Sequence, residues 1–175
     1  SGFHTSGAGS EKPASYILDY SGAVVKMNED GTANLIIAAA DFGSGNITGL
    51  ATMAAEELGL SYEDIIVSQV DTDTSIYEFW IHASRSIYST GGAIKAASRK
   101  AKNMILDWAA RLLETPADEL ETGEGRVFKK AEPSASLTIR EVLEWAQSQD
   151  LGTAIGVASY RATACPPHFV VTFIE

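Results

Sequence analysis

The spacing of apolar positions predicts a run of short strands interleaved with helices. Residues 1–14 are rich in Gly, Ser and Thr and read as a loop; residues 15–175 read as one domain. Ser15 to Asn28 alternates in places and is rich in Tyr, Ile and Val. Asp30-Gly31 then offers a turn and Thr32 to Ala40 a second strand, so a β-hairpin is expected. Ile47, Leu50, Met53, Ala54 and Leu58 share one helical face, with Asn46 as the expected N-cap and Gly59 as the stop. Ser61 and Asp64 suggest a capped turn, and Ile65 to Val70 a buried strand. A longer helix is expected from Gly92 to Leu113. Its apolar face is Ile94, Ala97, Ala101, Met104, Ile105, Trp108 and Leu112, and its Ala- and Gly-rich start suits close packing. Thr115-Pro116 opens a turn with Pro at the first helical position, Gly123 to Lys130 reads as a hairpin, and Thr138 with Glu141 forms a capping box for a helix over Ile139 to Gln147. Leu151 to Arg161 and Phe169 to Ile174 read as strands. The resulting order, ββ-α-β-α-ββ-α-ββ, lacks strict βαβ alternation. It predicts an α+β fold with a mixed sheet, hairpins and about three helices.

Composition narrows the function classes. The chain has 175 residues, 45% hydrophobic, and a formal net charge of −10. That charge argues against nucleic acid or an anionic membrane as partner. No apolar run reaches the roughly 20 residues that span a bilayer, no signal peptide is visible, and a cytoplasmic location is expected by default. Cys165 stands alone before Pro166-Pro167, with no disulfide to form and a structural role expected, and His4, His82 and His168 are far apart, so no protein-ligated metal is expected. The abrupt start at Ser1-Gly2-Phe3 and the strand-like end suggest a segment of a longer chain.

Two stretches have the residue types to hold a ligand. Asp41-Phe42-Gly43-Ser44-Gly45-Asn46 joins a strand to a helix. Glycines permit close backbone approach, and a helix start offers free N–H groups with a positive dipole end, which suits an anion such as phosphate. The spacing is that of neither a dinucleotide fingerprint nor a P-loop, and a tight turn with an N-cap is the commoner use of such residues. The second stretch, Ile81 to Gly92, also ends at an expected helix start and carries hydroxyls and Arg85, whose planar fork matches phosphate. His82 lacks a visible partner and reads better as structural than as a base. Asp71 and Asp73 lack the ligand number of a calcium loop and read as solvated or capping carboxylates.

The ordered set of features over Asp30 to Ala97 resembles the molybdopterin-binding large subunit of the family of xanthine dehydrogenases, aldehyde oxidoreductases, carbon monoxide dehydrogenases and 4-hydroxybenzoyl-CoA reductases. The residues that carry the likeness are the Asp30-Gly31 hairpin, a strand ending in Asp41, Gly43-x-Gly45, a helix containing Thr48, and Ala55-Glu56-Glu57-Leu58-Gly59-Leu60. After them come Asp71-Thr72-Asp73-Thr74, Ala83-Ser84-Arg85 and Gly92-Ala93. A looser match includes Gly2-Phe3-His4-Thr5-Ser6-Gly7.

The resemblance implies a molybdenum-pterin cofactor, often in a dinucleotide form. It implies cofactor contacts at Phe42, Gly43, Ser44 and Gly45, and pterin-phosphate or nucleotide contacts at Ala83, Ser84, Arg85 and Ser86. The implied partners are the rest of the large subunit and iron-sulfur and FAD subunits or domains. Ser44 stands where the family usually has Gln, which leaves the reaction type open. The family's catalytic Glu belongs to a distant Gly-Glu motif; Glu124 in Gly123-Glu124-Gly125 sits in the wrong context, so no catalytic residue is assigned and the isolated chain is expected to be inactive. The alternative is a free-standing, non-catalytic α+β module that binds a phosphate-bearing small molecule or a protein partner.

Overall fold

The computed structural model describes residues 20–79, 81 and 85–161. Strand β1 (Ser21–Met27) pairs antiparallel with β2 (Ala33–Ile36), in register Val24 to Ile36 and Met27 to Ala33. The expected turn closes the hairpin: Asn28 N donates to Thr32 O at 2.8 Å, and the Asp30 carboxylate accepts from Thr32 N at 2.9 Å and from the Thr32 hydroxyl at 2.7 Å. β3 (Ile65–Val67) joins β2 in parallel, and β7 (Ile155–Tyr160) joins β1 antiparallel, giving a four-stranded mixed sheet in the order β3-β2-β1-β7.

Helices α1 (Asn46–Leu58), α2 (Gly91–Leu112) and α3 (Ile139–Ser148) supply the other half of the core. Alternate strand residues Ala23, Val25, Met27, Ala33 and Leu35 are buried with Leu50, Ala54, Leu58, Ile94, Ala97 and Ile105. The period-2 pattern of the strands thus meets the period-3.6 pattern of the helices at one interface. The same alternation leaves Ile66, Ile155 and Val157 exposed.

α1 and α2 run in the same direction. A Cβ on Gly49 would lie 3.1 Å from Ile87 Cδ1, one on Gly91 would lie 2.6 Å from Met53 Cε, and Glu57 pairs with Arg99 at 3.1 Å. Contacts that climb both chains together require parallel axes. α2 also sits tightly on the sheet, since a Cβ on Gly156 of β7 would fall 1.9 Å from the carbonyl oxygen of Ala97.

A second sheet, β4 (Leu120–Gly123), β5 (Arg126–Lys129) and β6 (Glu132–Thr138), lies where α1 ends. A Cβ on Gly59 would meet Thr122 C at 2.6 Å, and Gly125 N donates to Gly59 O at 2.8 Å. The α+β class therefore holds, with the described order ββ-α-β-α-βββ-α-β.

Several expected boundaries move. β6 was not foreseen because its sequence, EPSASLT, is small, polar and contains Pro133; among the described residues it pairs only with β5, and an edge strand tolerates both features. β3 is an edge strand with Ile66 half exposed rather than a buried strand, and it stops at Val67. β2 ends at Ile36, short of Ala40. The N-cap of α1 is Gly45, with Asn46 already in the helix, and Pro116 precedes the 3-10 turn Ala117–Glu119 instead of opening it. Helical structure reaches α2 earlier than Gly92, through a π-helical turn at Ser86–Thr90. Cys165, His4, His82, His168, residues 1–14 and the expected strand Phe169 to Ile174 lie outside the described residues.

Two stability effects follow. Gly156→Ala forces backbone apart from backbone and is expected to cost about 3 kcal/mol or more, read as a lowered urea midpoint at unchanged slope. Thr138 accepts from Glu141 N at 3.1 Å within a complete capping box on α3. Thr138→Ala is therefore expected to cost about 1 kcal/mol in the same measurement, and no change would remove the cap's assigned role.

Candidate functional site

The parallel arrangement of α1 and α2 brings the two sequence-predicted stretches to one end of the molecule. α1 begins after Gly43-Ser44-Gly45, and the π-helical turn that leads into α2 packs beside its opening turns through Ile87 and Gly49. π-helical turns of this kind occur often at functional sites. Of the second stretch, Arg85 and Ser86 are described, while Ala83 and Ser84 lie outside the described residues.

The first loop differs from its expected form in one respect. Its amides are not free, because the Asp41 carboxylate accepts from Gly43 N at 2.8 Å, Gly45 N at 3.2 Å and Ile47 N at 3.5 Å. This is the side chain of an Asx turn reaching on to the helix start. The Gly43 amide is the main reason that the Asp41 carboxyl is held below the usual carboxylate range; the amides of Gly45, Ile47 and Ser44 act in the same direction, against a partial loss of hydration. Gly43 and Gly45 have φ of 103° and 73°, which favours glycine. Neither has an atom within 4 Å of where a Cβ would stand, so open space lies before both. Phe42 projects into solvent with 73% exposure. Ser44 turns its hydroxyl to Asn46 Oδ1, and Asn46 Nδ2 donates to Ala40 O at 3.0 Å, which ties the helix start to the segment that follows β2.

In the second stretch the Arg85 guanidinium is likewise satisfied by the protein itself. Arg85 was expected to present its fork to phosphate, yet its side chain is 0% exposed and is ion-paired with Glu78, whose side chain is 5% exposed. Arg85 Nη2 donates to the Ser21 hydroxyl at 3.2 Å, and the guanidinium carbon lies 5.4 Å from the centre of the Phe79 ring. Ser86 is buried, and the buried Ser89 hydroxyl in the same turn has no hydrogen-bond partner among the described residues.

Sequence reasoning missed Glu78 and Ser21, and it placed Thr90 in the second stretch without its partner Glu78. No local pattern links positions so far apart, and only the fold joins them. The role of Asp41 had a signal that was passed over, the Asp-x-Gly spacing of an Asx turn. Asp71 accepts from Asp73 N at 2.7 Å and behaves as a capping carboxylate. Among the described residues no group of three or more His, Cys, Asp or Glu is placed to hold a metal ion. Glu124 stands in the β4–β5 turn with φ of 51°, beside the start of α3 and at the opposite end of α1 from the Gly43-Ser44-Gly45 turn. A cleft of about 450 Å³ lined by Lys102, Asp107 and Glu121 lies along the later turns of α2, apart from both stretches.

The model of the family described as molybdopterin cofactor-binding domain matches residues 1–173. This chain belongs to that family. A xanthine dehydrogenase molybdenum-binding subunit from Escherichia coli O157:H7 is 29% identical over 162 residues, which is 90% of this chain and 22% of the relative. The carbon monoxide dehydrogenase large chain of Afipia carboxidovorans is 31% identical over 127 residues, 73% of this chain and 16% of its own length. Among solved structures, reconstituted CO dehydrogenase from Oligotropha carboxidovorans superposes with a TM-score of 0.78 at 26% identity, covering 91% of this chain and 20% of that one. This chain thus spans less than a quarter of the length of these relatives.

The Asp41 contacts predict a specific acid response. Its folded value is lowered, so the ionised form stabilises the loop above the ordinary value of 3.8, and this contribution is lost as pH falls through the folded value. The amide proton shifts of Gly43 and Gly45 are expected to titrate together with a midpoint below 3.8 and to stay flat in Asp41→Asn. A midpoint at or above the ordinary value would exclude the amide contacts.

Proposed function

We propose that this chain is the part of a molybdenum hydroxylase large subunit that helps to hold the molybdenum-pterin cofactor, in an oxidoreductase of the xanthine dehydrogenase type. The observation that carries the reading is the meeting of two serine- and glycine-bearing helix starts at one end, a result of the parallel α1 and α2. The residues fit such a group. Open space before Gly43 and Gly45 admits a flat ring system close to the backbone, and the buried Ser89 hydroxyl, without a hydrogen-bond partner among the described residues, lies in the same turn as Ser86.

Phe42, Gly43, Ser44 and Gly45 form the proposed contact on the pterin and metal-ligand side, and the stretch Ala83 to Ser86, with the Arg85 side chain turned inward to Glu78, the contact with its phosphate or, in the dinucleotide form, its nucleotide. With the Gly43, Gly45 and Ile47 amides held by Asp41, the first loop serves the ligand through its shape and open face rather than through those N–H groups. When bound, the cofactor supplies oxidation–reduction chemistry at carbon that side chains lack. This chain's residues orient it, and no general base is assigned among them. The catalytic glutamate, the substrate funnel and the iron-sulfur and FAD partners are assigned to the remainder of the enzyme. No helix among the described residues is long and apolar enough to cross a membrane.

The test is metal and pterin analysis of the intact large subunit that contains this sequence, made in a host that synthesises the cofactor. About one molybdenum and one pterin per subunit are expected. Gly45→Val, which puts a branched side chain at a φ of 73°, is expected to lower both by about tenfold at unchanged helix content. An intact subunit free of both would overturn the reading. Stoichiometric molybdenum with substrate turnover in the isolated 175-residue chain would overturn the assignment of the catalytic base elsewhere.

A further inference from the structure

We propose that Glu78 and Arg85 form an internal ionic anchor, and that Arg85 serves the cofactor stretch through this anchor and not by touching phosphate. The inference rests on the cofactor-holding reading above and assigns both residues as positioning residues.

The Glu78 carboxylate is used on both oxygens. Oε1 accepts from the Ser21 hydroxyl at 2.9 Å and from Arg85 Nη1, and Oε2 accepts from the Thr90 hydroxyl at 2.8 Å. Ser21 accepts in turn from Arg85 Nη2 at 3.2 Å, and the ring of Phe79 lies 5.4 Å from the guanidinium carbon. Backbone contacts lock the same residues: Ser21 and Glu78 form an isolated β-bridge, and Gly22 N donates to Tyr77 O at 2.9 Å. Ser21 is the first residue of β1 and Thr90 the last of the π-helical turn. One charged pair therefore joins the sheet, the entry to α2 and the two flanks of residues 79–84, the stretch that leads into the proposed phosphate contact.

Burial decides between anchoring and direct contact. A buried ion is tolerated when paired and fully hydrogen-bonded, and it is costly when its partner is removed. A guanidinium that is 0% exposed and already compensated by a carboxylate would have to leave both its burial and its partner to reach an external phosphate. The anchor instead fixes where the neighbouring hydroxyls and amides stand. Partners of ligating groups act in this way on metal and cofactor sites, and their loss typically weakens binding by 10–100-fold.

The intact, cofactor-loaded subunit tests this by the rate of pterin release after dilution, read from the fluorescence of the freed pterin. Glu78→Gln and Arg85→Met are each expected to speed release by about tenfold. The double variant is expected to be no faster than either single one, because both remove the same pair. Arg85→Lys is expected to release more slowly than Arg85→Met. If Arg85→Met alone does not fold, the double variant, which removes both charges, is compared with Glu78→Gln, and equal rates are expected.

Faster release in Arg85→Met with none in Glu78→Gln, or a double variant equal to the product of the singles, would establish direct phosphate contact and overturn the proposal. A lowered melting temperature with unchanged release would reduce the pair to a fold element and overturn it as well. Wild-type subunit that carries no pterin would overturn the cofactor reading itself, and the anchor's purpose with it.

Discussion

The close parallel approach of α1 and α2 on one face of the sheet is the constraint from which the rest of this structure follows. It is possible because the contact surfaces are made of small residues. Gly91 admits the Met53 side chain, Ala93, Ala97 and Ala101 are buried along one stripe of α2, and Gly156 lets β7 meet the backbone of that helix. Larger residues would still bury apolar area, but at greater separation. The packing also fixes direction. Because the helices are parallel, their starts and their positive dipole ends share one end of the molecule.

The two ends are closed differently. At the C-terminal end of α1 the backbone of Gly59 abuts the β4–β5 hairpin, and Gly125 N donates to it at 2.8 Å, so that end is packed protein. At the opposite end each turn carries its own carboxylate. Asp41 gathers the amides of Gly43, Gly45 and Ile47, and Glu78 neutralises the buried guanidinium of Arg85. Both acids satisfy donors that would otherwise have to find water or a ligand. They hold the turns through contacts within the protein, as the proposed role of orienting a reactive group rather than supplying the chemistry requires. A net charge of −10 is compatible with holding an anionic cofactor on this view. Surface charge is screened beyond about 8 Å at physiological salt, whereas contacts at a preformed turn act at hydrogen-bond distance.

Much of the fold was legible because local chemistry and tertiary structure agree. The Asp30-Gly31 turn, the Thr138–Glu141 capping box and the apolar stripes of α1 and α2 are each specified by residues within a few positions of one another. β6 was not legible, because an edge strand needs no apolar face, and the reach of the helix back to Ser86 was hidden by residues with weak helical preference. The candidate turns were found as residue types, Gly43-Ser44-Gly45 and Arg85-Ser86, and their family context was found as an ordered set. Their donors' true partners were not found.

The sequence by itself determined most of the elements, the β1–β2 turn and the kinship, since these depend on short-range pattern and order along the chain. Tertiary structure alone decided that the two helix starts stand together, that the Arg85 guanidinium points inward, and that Glu78 from an irregular stretch is its counterion. The physical reason is burial. Whether a charged group faces a ligand or a neighbour depends on which elements exclude water around it, and here those elements come from β1, the approach to α2 and the π-helical turn, brought together only by folding.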